Sequence, residues 1–244
     1  MTPLVNGNSA LFLDIDGTLL DLARTPDAVV VPNELQRTLT RLHDELNGAL
    51  AFVSGRSLIA IDRLFAPLST AAIGCHGAEV RGADGKVKAL ASPLPDAIRA
   101  LFRELAKDRP GVLLEDKVYT MALHYRMAPE ARKSLEASLA ENAALLKAHG
   151  VVLMEGKSVI EARPLGVDKG KGVAVLVNQK PFAGRRVLFG GDDTTDLDVF
   201  RILPQLGGSG FSVGRRFPGA GHIFPSPRAV RQWLARLADE GVNA

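Results

Sequence analysis

Short apolar segments that stop abruptly at polar residues are the feature of this sequence that most constrains its fold. The first spans residues 10–13, and two more span 49–53 and 71–75. Apolar runs of this length, bounded by turn residues, are typical of strands buried on both faces of a parallel sheet. Between the first two, leucines spaced three or four residues apart predict a helix with Asn33 as its N-cap and Gln36 three residues on. The pattern predicts a strand, a helix and a strand of a parallel α/β fold.

The middle of the chain follows a different pattern. A hairpin over 78–90 precedes two successive groups of helix, strand and strand, the second of which opens with a long helix over 129–148. This order is typical of an α+β domain with antiparallel strands. The alternation of helix and strand returns after Gly166, so we predict an α/β parallel-sheet core that is interrupted by an inserted α+β domain. The predicted boundaries place the core at 1–85 and 164–244 and the inserted domain at 86–163.

The composition limits the class of protein. Of the 244 residues 46% are hydrophobic, which excludes a disordered chain, and the formal net charge is only +3. No stripe of Lys and Arg suits a nucleic acid, and no apolar stretch approaches the length of a membrane span. The single cysteine, Cys75, cannot form an internal disulfide, so nothing indicates an oxidising compartment. We therefore expect a cytoplasmic protein without nucleic-acid or membrane partners, and the sequence leaves its oligomeric state open.

Aspartates lie where two of the predicted parallel strands end. Asp14 and Asp16 follow the first strand, and Asp192 follows a later one over 186–190. Because ligands of open parallel sheets bind at the carboxyl ends of the strands, we expect these carboxylates to lie close together. Two carboxylates about 4 Å apart repel by roughly 4 kcal/mol at an effective dielectric of about 20, so three require a cation or a raised pKa. Oxygen ligands without a His or Cys cluster favour Mg²⁺, and an aspartate can also be the nucleophile that forms an aspartyl-phosphate.

The same aspartates could instead act only as turn and helix caps. Two further residues weigh against that alternative. Ser54 follows the second predicted strand, and Lys169 opens a later helix, where it could otherwise be a solvated surface lysine. Because all these residues fall at matching places of one α/β framework, their joint occurrence favours a chemical site over capping alone.

Four short motifs, in this order, resemble those of the haloacid dehalogenase (HAD) superfamily of Mg²⁺-dependent phosphatases. They are DIDGTL at 14–19, SGR at 54–56, DKG at 168–170 and GDDTTD at 191–196. The resemblance implies a HAD-like Rossmannoid core, and the inserted block resembles the larger, C2-type cap domain of that superfamily.

Three longer segments resemble the trehalose-6-phosphate phosphatases within that superfamily. They are GCHGAE at 74–79, LEDKVYTMALHYR at 114–126 and GKSVIEARPLGVDKG at 156–170, and the resemblance covers nearly the whole chain. One position departs from the family's pattern, because Leu197 stands where an acidic residue usually follows the last aspartate of GDDTTD. That position falls on a helix, so we expect the metal site to survive. The first motif begins at residue 14, so we expect no fused synthase region before it.

The resemblance implies a role for each aspartate. Asp14 would be the nucleophile and a metal ligand. Asp16 would be the general acid for the leaving sugar oxygen and then the base for the hydrolytic water, with its backbone carbonyl on the metal. Asp192 would complete the Mg²⁺ site, supported by Asp193 and Asp196.

The resemblance also implies a phosphate site. Ser54 and Lys169 would hold the phosphate oxygens, together with Gly55 and the backbone N–H groups of Gly17 and Thr18. The charges agree with this scheme, because Mg²⁺ and the ammonium group of Lys169 together offset most of the negative charge of a phosphate dianion and the ionised aspartates.

The inserted domain is expected to recognise the sugar. Carboxylates and ammonium groups suit a polyol, because each hydroxyl both donates and accepts hydrogen bonds. By resemblance, the residues assigned to the sugar are Glu115, Lys117, Glu161 and Arg126, with His124 beside them and with His76 and Gly77 lining the cleft at the end of the third strand.

Together these assignments predict a Mg²⁺-dependent hydrolysis of trehalose 6-phosphate to trehalose and phosphate, in trehalose biosynthesis, through a phospho-Asp14 intermediate. Three alternatives stay open. The substrate could be sucrose 6-phosphate or mannosyl-3-phosphoglycerate, the enzyme could be a phosphomutase, or the protein could be a sugar-phosphate sensor without catalysis.

Overall fold

The computed structural model describes residues 2–23, 25 and 28–242, and these form two compact units. The core unit consists of residues 2–22, 29–90 and 168–242. The inserted unit consists of residues 91–167 together with the described residues between 23 and 28.

Twelve strands and eight α-helices lie in the described part of the chain. The strands are β1 (Ser9–Leu13), β2 (Leu50–Val53), β3 (Ala71–Gly74), β4 (Glu79–Arg81), β5 (Val87–Ala89), β6 (Leu113–Asp116), β7 (Met121–His124), β8 (Val151–Gly156), β9 (Val159–Pro164), β10 (Arg186–Gly191), β11 (Ser209–Val213) and β12 (His222–Phe224). The helices are α1 (Asn33–Glu45), α2 (Leu58–Phe65), α3 (Asp96–Lys107), α4 (Arg132–Glu141), α5 (Ala143–Ala148), α6 (Lys169–Leu176), α7 (Leu197–Ile202) and α8 (Pro227–Glu240). Short 3₁₀ helices include Cys75–Gly77, Pro129–Ala131 and Thr194–Asp196.

The core unit is built on one eight-stranded sheet in the order β12-β11-β10-β1-β2-β3-β4-β5. The strands from β12 to β3 pair in parallel, and the β4–β5 hairpin adds two antiparallel strands at one edge. Because β1 lies between β10 and β2, the carboxyl ends of these three strands are neighbours. The segments that follow them carry Asp14, Asp192 and Ser54.

The central strands are buried because their side chains are apolar on both faces of the sheet. All residues of β1, β2 and β3 are buried. Aromatic pairs hold two helices on the sheet, with the ring centroids of Phe189 and Phe200 5.1 Å apart and those of Phe211 and Trp233 5.3 Å apart. This packing confirms the predicted fold class, an α/β core with a parallel sheet.

The inserted unit is a four-stranded antiparallel sheet in the order β6-β7-β9-β8, with an apolar core between the sheet and its helices. Leu123 and Ile160 are paired across β7 and β9 and are both buried in that core. Glu115, Ala122 and Glu161 form the next row across β6, β7 and β9. Because side chains alternate along a strand, this row belongs to the opposite face of the sheet.

The unit boundaries lie later in the chain than predicted. The prediction ended the first core segment at residue 85 and placed 86–90 in the inserted domain. The second hairpin strand, Val87–Ala89, instead pairs with β4 and so extends the core sheet. The core unit resumes at Asp168 rather than at 164, because β9 extends to Pro164 within the inserted sheet.

Several helices differ from the sequence prediction. Helix α1 has Pro32 rather than Asn33 at its N-cap, and the Gln36 amide donates instead to the carbonyl of Phe65, at 3.1 Å. The long helix predicted over 129–148 breaks at Asn142, whose side-chain amide donates to the carbonyl of Ser138 at 2.8 Å. Such side-chain bonds compete with helical backbone bonds, which explains the break.

Two elements were not predicted. Helix α2 was missed because it is only eight residues long. Its N-cap is Ser57, whose side chain accepts a hydrogen bond from the Ala60 N–H at 3.3 Å. Strand β12 has three residues and no alternation that would identify it from sequence. None of the described helices is long and apolar enough to span a lipid bilayer.

Candidate active site

A buried lysine joins two of the aspartates at the carboxyl edge of the core sheet. The ammonium group of Lys169, the first residue of α6, donates to Asp14 Oδ1 and to Asp196 Oδ1, at 2.7 Å each. Asp192 completes the group, because carboxylate oxygens of Asp14, Asp192 and Asp196 all lie within 4.8 Å of one another. All four side chains are buried. We call these four residues the acidic cluster.

The electrostatics of the acidic cluster follow from its burial. Burial raises the pKa of Asp14; Lys169 lowers it, but the carboxylates of Asp196 and Asp192 raise it again, and it ends well above the usual value. Burial alone would lower the pKa of Lys169, but its two carboxylate partners raise it above its ordinary value. Lys169 therefore stays protonated, and its single positive charge cannot offset three ionised carboxylates.

Asp196 uses both of its oxygens within the protein. Its Oδ1 accepts from Lys169, and its Oδ2 accepts from the backbone N–H groups of Asp192 and Asp193, at 2.8 and 2.9 Å. The latter contact is half of a capping box between Asp193 and Asp196 at the start of the 3₁₀ helix. Asp196 therefore shapes the turn that presents Asp192.

A glycine allows the first loop to approach Asp192. Gly17 has a φ of +90°, and a Cβ built on it would lie 2.2 Å from Asp192 Oδ2. The neighbouring Thr18 hydroxyl donates to Asp192 Oδ1 at 3.4 Å. The Gly17–Thr18 turn therefore packs directly against the acidic cluster, and a side chain at position 17 would displace Asp192.

The acidic cluster fits a hard divalent cation. Asp14 Oδ2 is buried and has no hydrogen-bond partner in the described part of the chain. An orphaned buried carboxylate oxygen beside two further carboxylates is costly unless a cation satisfies it. Since both oxygens of Asp196 are already engaged, Asp14 and Asp192 are the residues that would hold such an ion.

Asp16 lies apart from the acidic cluster. Its carboxylate forms a bidentate ion pair with Arg56, whose Nε and Nη2 lie 2.6 and 2.7 Å from the two oxygens. Strand β1 ends at Leu13, so Asp14 and Asp16 lie beyond it. Their side chains would share one face of the sheet only if the strand continued to residue 16. Arg56 belongs to the SGR motif, and its pairing with Asp16 was not predicted from the sequence.

The segment after β2 is bound to the turn after β3. The buried Ser54 hydroxyl accepts from the Arg56 N–H at 3.1 Å. The Cys75 N–H donates to the Arg56 carbonyl at 2.8 Å, and the His76 N–H donates to the Ser54 carbonyl at 3.1 Å. A Cβ on Gly55 would lie 2.3 Å from His76 Nε2, so the imidazole lies against Gly55. These contacts bring Ser54, Gly55 and His76 together.

The turn after β3 also contacts the helix that carries Lys169. Cys75, His76 and Gly77 all have positive φ, of 47°, 54° and 100°. A Cβ on Gly77 would lie 2.1 Å from the carbonyl oxygen of Asp168, which caps α6. The structure thus gives Gly77 a packing contact that requires glycine.

Glu79 is the last residue of the GCHGAE motif, and no role was predicted for it. Its Oε1 accepts from the Leu58 N–H at the start of α2, at 2.7 Å, and from the Cys75 thiol at 3.4 Å. This carboxylate therefore ties the turn after β3 to the segment that carries Ser54 and Arg56.

The inserted unit brings four predicted residues together on the face of its sheet opposite its apolar core. The Lys117 ammonium group lies 3.0 Å from Glu161 Oε1 and 3.6 Å from Glu115 Oε2. His124 Nε2 lies 2.8 Å from the same Glu115 oxygen. Only 7% of each of the Lys117 and Glu161 side chains is exposed. We call Glu115, Lys117, His124 and Glu161 the polar cluster.

The neighbours of Glu115 favour its ionised form. Burial raises the pKa of Glu115, but the His124 hydrogen bond and the charge of Lys117 outweigh it, so the pKa lies below its ordinary value. Arg163 follows Glu161 by two residues on β9, and its Nε is buried without a hydrogen-bond partner in the described residues. A polar surface with such a donor suits a ligand rich in acceptors.

Arg126 is engaged elsewhere. Its guanidinium donates to the backbone carbonyls of Lys157, at 2.9 Å, and of Ala23. Both contacts lie within the inserted unit. Arg126 therefore binds backbone carbonyls of that unit and is not part of the polar cluster.

The family is shown by comparison with known proteins. A family model described as trehalose-phosphatase matches residues 12–217. The chain belongs to this family. The probable trehalose-phosphate phosphatase of Sinorhizobium fredii is 44% identical over 95% of this chain and 88% of its own length. The trehalose-6-phosphate phosphatase of Escherichia coli is 37% identical over 97% of this chain and 89% of its own length.

A solved structure shows the same fold. The C-terminal domain of C. albicans trehalose-6-phosphate phosphatase aligns with a TM-score of 0.83 and 24% identity, over 96% of this chain and 93% of that one. At this identity the likeness concerns the fold alone, a parallel-sheet α/β core with an inserted α+β unit. The predicted resemblance to the trehalose-phosphatase family is therefore confirmed.

The chain's departure from the family pattern leaves the acidic cluster without a further carboxylate. Leu197 opens α7 and packs, partly buried, against the apolar core of the core unit. The carboxylate of the next residue, Asp198, pairs with Arg201 at 3.0 Å. Leu197 therefore contributes to the packing of the core unit. Asp14, Asp192 and Asp196 lie close together without an acidic residue at position 197.

Proposed function

We propose that this protein is a trehalose-6-phosphate phosphatase, which hydrolyses its substrate to trehalose and inorganic phosphate. The observation that carries the proposal is the buried pair of Lys169 and Asp14, with Asp14 Oδ2 left without a hydrogen-bond partner among the described residues, in a chain of the trehalose-phosphatase family. A nucleophile needs such an oxygen, and a phosphate dianion needs the neighbouring cation.

Asp14 would attack the phosphorus atom while the bond from phosphorus to the sugar oxygen breaks. Lys169 would stay protonated and offset the charge of the transferring phosphoryl group, with the Ser54 hydroxyl as a further donor. The N–H groups of Gly17 and Thr18, which were expected to bind the phosphate, donate instead to the carbonyls of Leu20 and Ile15, at 2.7 and 3.4 Å. The leaving sugar oxygen would take its proton from Asp16, which must first exchange Arg56 for the substrate. In the second step Asp16 would remove a proton from the water that hydrolyses phospho-Asp14.

We propose Mg²⁺ as the cation, held by Asp14 and Asp192 and supported by Asp193 and Asp196. When bound, Mg²⁺ would neutralise charge on the phosphoryl oxygens. The oxygen-only donor set supports this assignment, because Mg²⁺ prefers carboxylate and water ligands.

The polar cluster of the inserted unit is proposed to bind the sugar. Glu115, Glu161 and Lys117 together offer acceptors and donors to adjacent hydroxyls of a glucose unit. His124 would orient Glu115.

The deciding experiment measures phosphate release from a panel of substrates with Mg²⁺ and with EDTA. The panel contains trehalose 6-phosphate, sucrose 6-phosphate, mannosyl-3-phosphoglycerate, glucose 6-phosphate and p-nitrophenyl phosphate. We expect the highest kcat/KM for trehalose 6-phosphate and loss of all activity in EDTA. A preference for another sugar phosphate would reassign the substrate. Release that needs a second sugar phosphate as acceptor would indicate a mutase, and binding without turnover would indicate a sensor.

A further inference from the structure

The turn that carries Lys117 has a strained backbone. Between β6 and β7 the Lys117 N–H donates to the Thr120 carbonyl, and the Tyr119 N–H donates to the Lys117 carbonyl, at 2.9 Å each. The residue after Lys117 is Val118, with a φ of +72°. A β-branched residue is a genuine outlier at positive φ, because its branched side chain crowds the backbone there. Something outside the turn must therefore hold this conformation.

Arg99 of α3 is the residue that holds it. Its Nη2 donates to the Val118 carbonyl at 2.9 Å, its Nη1 contacts the Asp116 carboxylate, and its Nε donates to the Leu94 carbonyl at 3.1 Å. The Leu94 N–H donates to the same Val118 carbonyl at 3.0 Å. The guanidinium thus grips the turn on both sides of Lys117, and only 16% of the Arg99 side chain is exposed.

Asp116 completes the grip on Val118. Its Oδ1 accepts from the Val118 N–H at 3.1 Å, while its Oδ2 faces Arg99. Both polar groups of the Val118 backbone are therefore hydrogen-bonded in the positive-φ conformation. With Val118 in this conformation, the Lys117 side chain is buried and its ammonium group reaches Glu161 and Glu115.

We propose that Arg99 is a positioning residue for substrate recognition, which acts by fixing Lys117 within the polar cluster. Among the described residues, Arg99 makes its side-chain hydrogen bonds to the turn and to the Leu94 carbonyl, so it acts through Lys117. This inference rests on the proposed function, because it takes the polar cluster as the part of the protein that binds the sugar.

The test compares Arg99→Ala with Arg103→Ala. Arg103 is a matched control, because it also lies on α3 and approaches Asp116, at 3.6 Å, but its side chain is 58% exposed. For each variant, KM and kcat are measured with trehalose 6-phosphate and with p-nitrophenyl phosphate, which has no sugar. Lys117→Ala removes the proposed contact between Lys117 and the sugar, so it gives the largest effect expected from misplacing that side chain.

We expect Arg99→Ala to raise KM for trehalose 6-phosphate about tenfold, since small displacements of a binding group are costly. Its kcat/KM for p-nitrophenyl phosphate should stay within about twofold of wild type. For Arg103→Ala, kcat/KM should stay within about twofold of wild type with both substrates. Arg99→Lys should be intermediate, because one ammonium group cannot grip both Asp116 and Val118.

Unchanged KM for trehalose 6-phosphate, or equal losses on both substrates, would overturn the proposal. If Arg99→Ala does not fold, Asp116→Asn serves instead, because it weakens the ion pair but keeps an acceptor for Val118, and the same pattern is expected. A failed proposed function is recognised separately, because wild-type protein would then not prefer trehalose 6-phosphate.

Discussion

At the residue scale, one lysine holds together the charges on which the proposed chemistry depends. Lys169 lies 2.7 Å from each of Asp14 and Asp196, and all three are buried. Removing one member of such a group leaves an uncompensated buried charge, so stability and catalysis change together. A test of the nucleophile must therefore preserve the shape of the site.

Asp14→Asn satisfies that requirement. The amide keeps the size of the side chain and an oxygen that accepts from Lys169, but it is a poor nucleophile, so we expect kcat to fall by about 1,000-fold or more. Because burial raises the pKa of Asp14, its ionised form is disfavoured in the folded protein, and the free energy of unfolding at neutral pH should not decrease. Phosphate release and urea unfolding check both statements. Substantial retained turnover would exclude Asp14 as the nucleophile.

The sequence predicted Asp14, Lys169, Asp192 and Ser54 because each directly follows a recognisable strand or begins a helix. It could not predict that Asp16 pairs with Arg56. That contact depends on where β1 ends and on how the next turn directs the side chain, and neither is encoded in a local spacing.

At the element scale, the strands of the core sheet were easier to predict from the sequence than the short elements and turns that position the site residues. The parallel strands at the centre of the sheet were predictable from their apolar runs, because burial on both faces leaves a clear signature. Helix α2 and strand β12 were missed because they are short, and the break at Asn142 was missed because it depends on a side-chain bond to the backbone.

Gly17→Ala tests whether the first turn sets the position of Asp192. The added Cβ would overlap Asp192 Oδ2, and alanine disfavours a φ of +90°, so we expect a loss of about 1–3 kcal/mol in unfolding free energy and a large loss of activity. Gly85→Ala is the control, because Gly85 has a similar φ of +78° but no atom of the described residues within 4 Å of its Cβ position. It should cost about 1 kcal/mol and leave activity unchanged. Equal activity in the two variants would mean that the turn does not control Asp192.

At the scale of the whole molecule, the proposed chemistry and the proposed recognition lie in different units. The acidic cluster belongs to the core unit and the polar cluster to the inserted unit. The sequence predicted this division from the change in strand and helix rhythm. It placed the boundary too early, because a hairpin strand can extend either a core sheet or an inserted one, and only the pairing decides.

The polar cluster should make the stability of the protein depend on pH in the acidic range. Glu115 has a folded pKa below its ordinary value of 4.5, so its contribution is present above that value and is lost as the pH falls through the folded pKa. Glu115→Gln should therefore unfold at a lower temperature than wild type near pH 7, and the difference should shrink as the pH falls below 4.5 and through the folded pKa. Thermal unfolding across this range measures the effect. A difference that stays constant with pH would contradict it.

The place of β10 beside β1 determines what happens while the chain is being synthesised. Ser9 pairs with Arg186, so one edge of β1 cannot be covered until the ribosome has made the whole inserted unit and the start of the second core segment. During that interval a strand that is apolar except for Ser9 exposes unpaired backbone groups, which is the condition that favours association between chains. The inserted unit, whose strands pair with near neighbours in sequence, can fold first. Translation thus imposes an order of assembly in which the unit proposed to bind the sugar is complete before the acidic cluster exists.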